Sequence, residues 1–257
     1  MCRVAAPDVF DLLSRHAPLL RYLAEAPATK VDLQERLDVS RSTVDRTVRT
    51  LTRAGLLEET DGGFRTTTAG GLAVASYDRF ERRAAGVRDG RDVLAALPAG
   101  APLDVRALDG AEVVTASEET PGRVLERVSD LVDWADEVHG TATVVTDRTV
   151  ATYREQILDG TAVRLVFDAD LLGRLVARYP EAVAVAVDAD RAELREATDL
   201  PPFGVRLYAR GDEAVLGVTV RDDGFGALVH NDSPGAVEWG RSFVERLWAD
   251  ATPLPTG

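Results

Sequence analysis

Residues 31–65 read VDLQERLDVSRSTVDRTVRTLTRAGLLEETDGGFR, and this stretch decides the fold of the N-terminal part of the chain. Ser40 can cap a helix, because its hydroxyl can accept a hydrogen bond from a free backbone N–H of the first turn. Gly55 stands where a left-handed C-cap belongs. Between them, apolar residues recur at helical spacing and form one stripe: Val44, Val48 and Leu51. We therefore predict a helix between Ser40 and Gly55 with one packed face.

The face of this helix outside the apolar stripe is polar and mostly basic. Arg can bond bidentately to guanine or pair with a phosphate, and Ser or Thr can take either role. Such a face suits a DNA groove. The residues that we expect to contact DNA are Arg41, Ser42, Thr43, Asp45, Arg46, Arg49 and Arg53 on this helix, and Arg65 beyond it.

The segments on either side complete a helix, turn, helix and hairpin. The hairpin signal is Asp61-Gly62-Gly63, because a tight turn needs positive φ. This order predicts a winged helix-turn-helix, with Arg65 on the wing within reach of a backbone phosphate. The alternative is that the Arg residues of an amphipathic helix are simply solvated. The flanking elements are a short helix at 31–37, a turn at Asp38-Val39, and strands at 56–60 and 64–67.

The charge of the chain is distributed unevenly around a formal net charge of −13. Residues 1–83 hold 13 Lys and Arg against 12 Asp and Glu, whereas the remaining residues hold 17 against 31. From Arg36 to Arg53, five Arg stand against two acidic residues. Because a large negative charge repels nucleic acid, any DNA contact must be local to this segment.

Almost all basic residues are Arg, since Lys30 is the only lysine beside 29 Arg. With many acidic residues and few aromatic ones, this composition is similar to that of haloarchaeal proteins, which work in molar salt. At such ionic strength the Debye length falls to about 3 Å. Affinity for DNA would then depend on direct contacts, which Arg makes better than Lys. A GC-rich genome that favours Arg codons is the alternative, and both can hold.

At 257 residues the chain has room for one small and one medium domain. We expect a winged helix-turn-helix DNA-binding domain at 1–87 and an α/β effector-sensing or dimerisation domain at 88–251. Cys2 is the only cysteine, which excludes an intrachain disulfide and a cysteine-based zinc site. The sequence has no apolar run of membrane-spanning length and no signal-peptide core. We therefore expect a cytoplasmic protein without a cofactor or a metal site.

The C-terminal part alternates between apolar strands and amphipathic helices. Nearly continuous apolar runs are typical of buried parallel strands, and helices between them predict right-handed crossovers. The expected parallel strands are 141–145, 163–167 and 182–187, with helices at 148–159 and 169–179 between them. The other expected elements are strands at 104–108, 111–116, 205–209, 214–220 and 227–230, helices at 7–26, 68–87, 122–139 and 234–249, and a turn at Asp222-Asp223-Gly224. The predicted fold class is α/β, with an N-terminal winged helix-turn-helix and a C-terminal α/β domain whose mixed sheet is partly parallel.

Three stretches of the C-terminal part carry a family resemblance. They are LAALPAGAPLDVRALDGAEVV at 94–114, LPPFGVRLYARGDEAVLGV at 200–218 and LVHNDSPGAVEWGRSFVERLW at 228–248. Nearly the whole chain resembles the archaeal winged-helix regulators of the methanogenesis-regulator-like family, whose C-terminal domain is similar to the phospholipase-D-like sensor domain of the TrmB sugar regulators. NDSP with the helix after it is the most specific element. The resemblance implies a one-component transcription regulator with an effector or dimerisation domain, and it implies no particular ligand.

An enzyme of the phospholipase D type would need a His nucleophile with Lys and Asp at fixed spacing. The histidines are His16, His139 and His230, and Lys30 is near neither of the last two. We therefore predict no catalytic residue. His230, Asp232 and Ser233 have the residue types of a triad but are too close in sequence to converge easily. A helix N-cap before Pro234 is the better interpretation of this segment.

A small-molecule site would lie beyond the carboxyl ends of the parallel strands, as in other open α/β sheets. Acidic groups there would favour a cationic or polyhydroxylated ligand, or a metal. Alternatively, each Asp that follows a strand is simply a helix N-cap. The candidate ligand-binding residues are Thr146, Asp168, Asp188, Phe203, Asn231 and Ser233.

Two function classes remain. The first is a transcription regulator that binds double-stranded DNA, as a homodimer on a pseudo-palindromic site, with the existence and identity of a small-molecule effector left open. The second is a ligand-sensing or protein-assembly module whose winged helix binds protein. A salt-dependent mobility shift with genomic DNA separates the two.

Overall fold

The computed structural model describes residues 8–117, 119–220 and 226–254. The chain divides into two compact units, residues 1–82 and residues 83–257. Within the described residues, the first unit holds helices with a two-stranded sheet, and the second holds an eight-stranded mixed sheet with helices. The predicted α/β class with a partly parallel sheet is confirmed. The assignment of one unit to DNA and the other to an effector or a second subunit stays a prediction.

The first unit is built from helices and one hairpin around a single core. The core includes Leu20, Leu33, Val44, Leu51 and Leu57, all nearly or fully buried. The elements are α1 Val9–Glu25, α2 Lys30–Leu37, α3 Arg41–Arg53, β1 Leu57–Thr60, β2 Gly63–Thr66 and α4 Thr68–Asp89, whose last residues belong to the second unit. The predicted helix-turn-helix and hairpin are confirmed.

The loop before α2 is fixed at both of its ends. Thr29 and Asp32 form a capping box, in which the Asp32 carboxylate accepts from the Thr29 N–H at 2.8 Å. Ala28 and Phe64 exchange backbone hydrogen bonds of 3.0 and 2.8 Å, which tie this loop to β2. Gly63 permits the close approach, because its φ is +117° and a Cβ there would lie 2.3 Å from the Ala28 carbonyl oxygen. No sequence pattern predicts this bridge.

The second unit is organised around the mixed sheet. Its strands are β3 Glu112–Thr115, β4 Glu137–Thr141, β5 Ala162–Phe167, β6 Ala192–Glu196, β7 Gly204–Arg210, β8 Glu213–Val220, β9 Ala227–Asn231 and β10 Thr252–Pro253. They lie in the order β10-β6-β5-β4-β7-β8-β9-β3. The pairs β4–β5 and β5–β6 are parallel, and the other pairs are antiparallel. The helices are α5 Arg91–Ala95, α6 Arg123–Trp134, α7 Asp147–Leu158, α8 Ala169–Arg178, α9 Pro180–Asp188 and α10 Pro234–Asp250, with a 3-10 helix at Val105–Leu108.

The two faces of this sheet pack against different helices. On one face, Val205 and Leu207 of β7 join the core formed by α10, to which Trp239, Phe243 and Val244 contribute. On the other face, β4 and β7 pack against α6, and β5 packs against α7, α8 and α9. The centre of the sheet is therefore covered on both sides.

The predicted strand at 104–108 is wrong. The Asp104 carboxylate accepts a hydrogen bond of 2.8 Å from the Arg106 N–H and begins the 3-10 helix. Ala107 and Leu108 are buried against the core of the second unit, so their apolar character serves packing rather than strand pairing. An Asp side chain that accepts from the backbone N–H two residues later favours a turn over an extended strand.

The boundary between α6 and β4 also differs from the prediction. The helix predicted at 122–139 ends at Trp134, and the strand predicted at 141–145 lies instead at Glu137–Thr141. In β4, which pairs with both β5 and β7, the side chains of Val138 and Thr141 are fully buried. Pairing at the centre of the sheet therefore outweighs the helical spacing of the apolar residues here.

The strand predicted at 182–187 is wrong, because these residues belong to α9. A short apolar run cannot be assigned to a strand or a helix by its periodicity alone. Pro180 stands in the first turn of α9, where its fixed φ suits a helix. The third parallel strand is β6, whose sequence AELRE is not an apolar run and so gives no strong strand signal.

The turn predicted at Asp222-Asp223-Gly224 lies outside the described residues. In the part of the chain that is described, no helix is both long and apolar enough to cross a membrane. The same residues contain no group of three or more His, Cys, Asp or Glu side chains that could hold a metal ion.

Candidate nucleic-acid interface

Helix α3 has both of the ends that its sequence predicts. The Ser40 hydroxyl accepts from the Thr43 N–H at 3.3 Å. At the other end, Gly55 adopts a φ of +74° and the Leu56 N–H donates to the Leu51 carbonyl at 3.0 Å. The side chains that α3 buries are Val44, Thr47, Val48 and Leu51. One side of the helix is thereby fixed in the core, and the other side is left to solvent.

The exposed side of α3 is basic. We call its four residues opposite the buried stripe the basic face: Ser42, Arg46, Arg49 and Arg53. They follow one another at intervals of four, three and four residues, and all are exposed. Arg41 is exposed beside this face, whereas Thr43 and Asp45 are half-buried on its flanks. The structure thus brings the predicted DNA-contacting residues of α3 onto one surface.

The guanidinium groups of this surface have no acidic partner among the residues that the structure describes. Within the described part of the chain, no carboxylate lies within ion-pair distance of Arg41, Arg46, Arg49 or Arg53. Elsewhere in the same unit, Arg15 pairs with Asp11 and Arg21 pairs with Asp78. In a chain with a net charge of −13, α3 therefore carries a local excess of uncompensated positive charge.

Asp45 has a partner within the protein. The Lys30 ammonium lies 2.6 Å from its carboxylate and 5.7 Å from the centre of the Phe64 ring. The hydrogen bond from Lys30, together with the charges of Lys30, Arg41 and Arg49, holds the pKa of Asp45 below its ordinary value. Lys30 thus connects α2, α3 and the wing. The sequence indicates this role only weakly. Lys30 is the only lysine of the chain, and it begins α2.

His16 of α1 lies close enough to the basic face to be influenced by it. Burial lowers the pKa of this half-buried imidazole, and the charges of Arg15 and Arg46 lower the pKa further. His16 is therefore neutral around pH 7 and adds no charge beside Arg46.

Arg65 lies on the exposed wing, directly opposite Glu58 in the register of the hairpin. Its Nε donates to Glu58 Oε1 at 2.6 Å, and both side chains are about half exposed. A surface ion pair of this kind contributes little free energy, since solvent and salt screen it. Arg65 can therefore leave Glu58 and bind a phosphate with little loss of free energy.

Two of the candidate ligand-binding residues in the second unit line the same cleft. Asp168 follows β5 and accepts from the Leu171 N–H at 2.7 Å, which makes it the N-cap of α8. Phe203 precedes β7 and is almost fully buried. Both line a cleft of about 290 Å³ at the carboxyl ends of the parallel strands, together with Thr143, Thr198, Leu200, Pro201, Pro202 and Thr219.

The other candidates are not at this cleft. Asp188 ends α9 just before β6, at the amino ends of the parallel strands, because the strand on which its prediction depended is a helix. Thr146 is the N-cap of α7, and Ser233 is the N-cap of α10. Asn231 pairs with Leu216, three register positions from Thr219.

Asn231 instead has a structural role. Its amide group donates to the carbonyl oxygens of Ala107 and Asp109 at 3.1 and 3.0 Å, and its own oxygen accepts from the Ser233 N–H at 2.8 Å. These bonds fasten the 3-10 helix to the start of α10. The NDSP segment that carries the family resemblance is therefore explained by packing of the fold.

Two family models match the chain. The model described as "Methanogenesis regulatory protein FilR1, middle domain" matches residues 121–250. The model described as "HVO_A0261 N-terminal domain" matches residues 8–88. No curated protein matches the chain.

The solved structures that match the chain share little sequence with it. The archaeal chromatin protein TrmBL2 is 13% identical, with 96% of this chain and 98% of that chain covered and a TM-score of 0.43. Nuc, a phospholipase D family member from Salmonella typhimurium, is 14% identical, with 57% of this chain and 99% of that chain covered and a TM-score of 0.42. Both TM-scores lie below 0.5, so neither likeness supports a functional inference.

Proposed function

Because this chain belongs to the family of the methanogenesis regulatory protein FilR1, we propose that it is a transcription regulator that binds specific double-stranded DNA sequences through α3. A regulator needs an element that reaches base edges and contacts that hold this element on the phosphate backbone. In this proposal the helix-turn-helix of the first unit reaches the base edges, and the wing makes part of the contacts to the phosphate backbone.

The observation that carries this proposal is the set of unpaired guanidinium groups on the basic face. Three Arg side chains project from one side of a helix whose other side is fixed in the core. DNA phosphates and guanine edges are the partners that such groups lack within the protein. A face that served only solubility would not need to be basic in a chain whose net charge is −13.

The roles of the individual side chains follow from their positions. We assign Arg46 and Arg49, near the middle of the exposed face, to base edges. Arg41, Arg53 and Arg65 at its margins and on the wing would bind phosphates, and the hydroxyls of Ser42 and Thr43 would support either contact. Asp45 would act indirectly, by holding α2 against α3 through Lys30.

The chain would act as a homodimer. A single winged domain contacts only a short half-site, and two-fold pairing on a pseudo-palindromic operator is the common solution. The surface that supports this part of the proposal is an aromatic cluster on α1 and α4, in which Phe10 and Phe80 are 50% and 51% exposed. Their rings and that of Tyr77 are in mutual contact, with the Phe10 and Phe80 centroids 5.2 Å apart. An exposed aromatic cluster of this kind is typical of interaction surfaces.

The proposal includes no hydrolase activity. Phospholipase D chemistry would need His side chains to converge with Lys and Asp. In the described residues, His139 lies on β4 and His230 lies on β9, and β7 and β8 separate these strands. His139 contacts the ring of Trp248 instead, with 5.1 Å between centroids.

The experiment that tests this function is sequencing of the DNA fragments that co-purify with the full chain, followed by mobility shifts on the enriched sequence. We expect one enriched motif with two half-sites, and affinity for it that falls as salt rises. A scrambled duplex of the same length is the control. Equal affinity for both duplexes would contradict sequence-specific binding. Absence of any DNA complex, with a protein partner bound to α3 instead, would favour a protein-assembly module.

A further inference from the structure

The second unit buries a positive charge for which the described residues supply no counter-charge. Arg206 lies in β7, near the middle of the mixed sheet, and is only 3% exposed. Its Nε and Nη1 atoms have no hydrogen-bond partner in the described part of the chain. Among the described residues, no carboxylate lies within ion-pair distance of its guanidinium. A buried charge without a partner is strongly unfavourable, so a site of this kind calls for an acceptor from outside the chain.

The neighbouring strand makes room for this side chain. Arg206 pairs with Gly140 of β4, and a Cβ on Gly140 would lie 2.9 Å from Arg206 Cγ and 2.6 Å from Arg206 Cα. The guanidinium therefore extends over the face of the sheet that α6 and α7 cover, beside the phenols of Tyr153 and Tyr208. Since Arg stays protonated in proteins, the charge at this position is permanent.

A cavity adjoins the Arg206 side chain. Its volume is about 60 Å³, and Arg206 and Tyr153 line it together with aliphatic side chains such as Val145, Val150, Ile157 and Leu165. The Tyr153 hydroxyl is buried, and no described residue forms a hydrogen bond with it. Burial raises the pKa of this phenol, so the hydroxyl keeps its proton and can donate it in a hydrogen bond. The cavity thus adjoins two side chains with unused donors, and its wall is mostly apolar, with Thr149 and Arg154 as its other polar residues.

We propose that this cavity binds a short-chain monocarboxylate of two to four carbon atoms. The carboxylate would accept hydrogen bonds from Arg206 and Tyr153, and the alkyl chain would lie among the aliphatic side chains. A carboxylate only accepts hydrogen bonds, so it can accept from an N–H of Arg206 and from the O–H of Tyr153. Since one water-sized group needs roughly 10–15 Å³, the cavity takes about four to six non-hydrogen atoms. Phosphate is a poorer match, because aliphatic side chains form most of the wall and phosphate has no apolar part to place among them.

This site is separate from the cleft at Asp168 and Phe203. The binding claim stands on Arg206, Tyr153 and the cavity, and does not rest on the proposed DNA-binding function. Only a role of the carboxylate in regulation would rest on that function. Direct measurement of ligand binding therefore distinguishes failure of this inference from failure of the DNA proposal.

The test is calorimetric titration of the full chain with propionate, supported by thermal melts at increasing propionate. Propionamide has the same shape without the charge, and hexanoate has the charge with a chain too long for the cavity. We expect propionate to bind and to raise Tm with concentration. We expect at least about tenfold weaker binding of propionamide, since it loses the charge-assisted bonds.

Three variants locate the site. Arg206→Met keeps the length of the side chain and removes the charge, and it should lower propionate affinity by about 100-fold or more. Tyr153→Phe removes only a hydroxyl and should lower affinity by about tenfold. Arg210→Met is the matched control, because Arg210 is an exposed residue of the same strand. The affinity of this variant for propionate should not change. If Arg206→Met fails to fold, the affinity of Tyr153→Phe for propionate and the comparison of propionate with propionamide and hexanoate still test whether the cavity binds a carboxylate.

Several outcomes would overturn the inference. They are no binding of any short carboxylate, equal binding of propionate and propionamide, or unchanged affinity in a folded Arg206→Met or Tyr153→Phe variant. Stabilisation by chloride alone, with no further effect of propionate, would identify a halide site instead and would also overturn the carboxylate assignment.

Discussion

The Lys30 ammonium lies 2.6 Å from the Asp45 carboxylate, and this ion pair joins the first helix of the helix-turn-helix to the second. Both side chains are partly exposed, so water and salt screen the interaction. The pair therefore contributes little free energy, although it connects α2 to α3. It also gives the Asp45 carboxylate a partner on the neighbouring helix.

Replacement of Asp45 by Asn should lower Tm slightly at low potassium chloride, and the difference should vanish at molar salt because salt screens the pair. The pKa of Asp45 is lowered, mainly by its bond with Lys30. The contribution of the pair is therefore present above the ordinary pKa of Asp and is lost as the pH falls through the lowered value. Thermal melts of Asp45→Asn and of Asp11→Asn, which removes a pair within α1, make the comparison. A decrease in the Tm of Asp45→Asn that is the same at low and at molar salt would contradict the role of Asp45 as a partner of Lys30.

Replacement of both Arg46 and Arg49 by Ala should weaken specific DNA binding while leaving the fold intact. Each Arg that contacts a base should contribute about 1–3 kcal/mol and its loss should relax sequence preference. Both side chains are exposed and unpaired, so Tm should hardly change. Fluorescence anisotropy on the enriched operator measures the effect. Arg174→Ala, at an exposed position of α8, is the control. Wild-type affinity of the double variant would exclude this face as the one that contacts bases.

Two adjacent glycines of α4 should respond to the same substitution with opposite signs. A Cβ on Gly71 would meet nothing within 4 Å, so Gly71→Ala should stabilise the helix by about 0.5–1 kcal/mol. A Cβ on Gly70 would lie 2.2 Å from the Leu56 carbonyl oxygen, so Gly70→Ala should destabilise the unit. Urea denaturation of the two variants provides the measurement. Equal shifts in the same direction would contradict the close packing of α4 on this segment.

Stability should fall as the pH drops from about 6.5 to about 4. Burial, followed by the charges of Arg164, Arg195 and Arg241, lowers the pKa of His139 to about 4. The unfolded chain then binds the proton more readily than the folded chain between these two values, so protons favour unfolding. Stability is retained above the ordinary pKa of His and is lost as the pH approaches 4.

The matched variant for this prediction is His139→Gln, which cannot titrate. Its Tm should depend less on pH between 4 and 6.5 than that of the unmodified chain. His16 and His230 also have lowered pKa values, chiefly through burial, so part of the dependence should persist. Identical pH profiles for the two proteins would show that His139 does not contribute.

Light scattering of the full chain should give twice the chain mass of 27.7 kDa. Phe80→Glu should convert the dimer to a monomer, because it places a charge within the exposed aromatic cluster. Leu158→Glu is the control, since Leu158 is 60% exposed on α7. A Phe80→Glu variant that remains dimeric would move the interface elsewhere. A wild-type protein that is monomeric both free and on its operator would end the homodimer proposal.

The sequence by itself determined the elements whose causes are local. Ser40 and Gly55 set the two ends of α3, and Ser233 with Pro234 begins α10. Each of these signals acts through backbone bonds or φ values within a few residues, so it can be identified without knowledge of the fold. The polar side of α3 follows equally directly, because helical periodicity alone separates the buried stripe from the basic face.

Only the tertiary structure decided the features that depend on partners distant in sequence. Residues 137–141 form a strand and residues 182–187 a helix because of their neighbours in the sheet and on its surface, where the local pattern permits either state. The same holds for the pairing of Lys30 with Asp45 and for Arg206, whose isolation follows from which side chains α6 and α7 bring against β7. Burial, charge pairing and cavities are properties of the packed chain, since they arise only when segments far apart in sequence exclude water together.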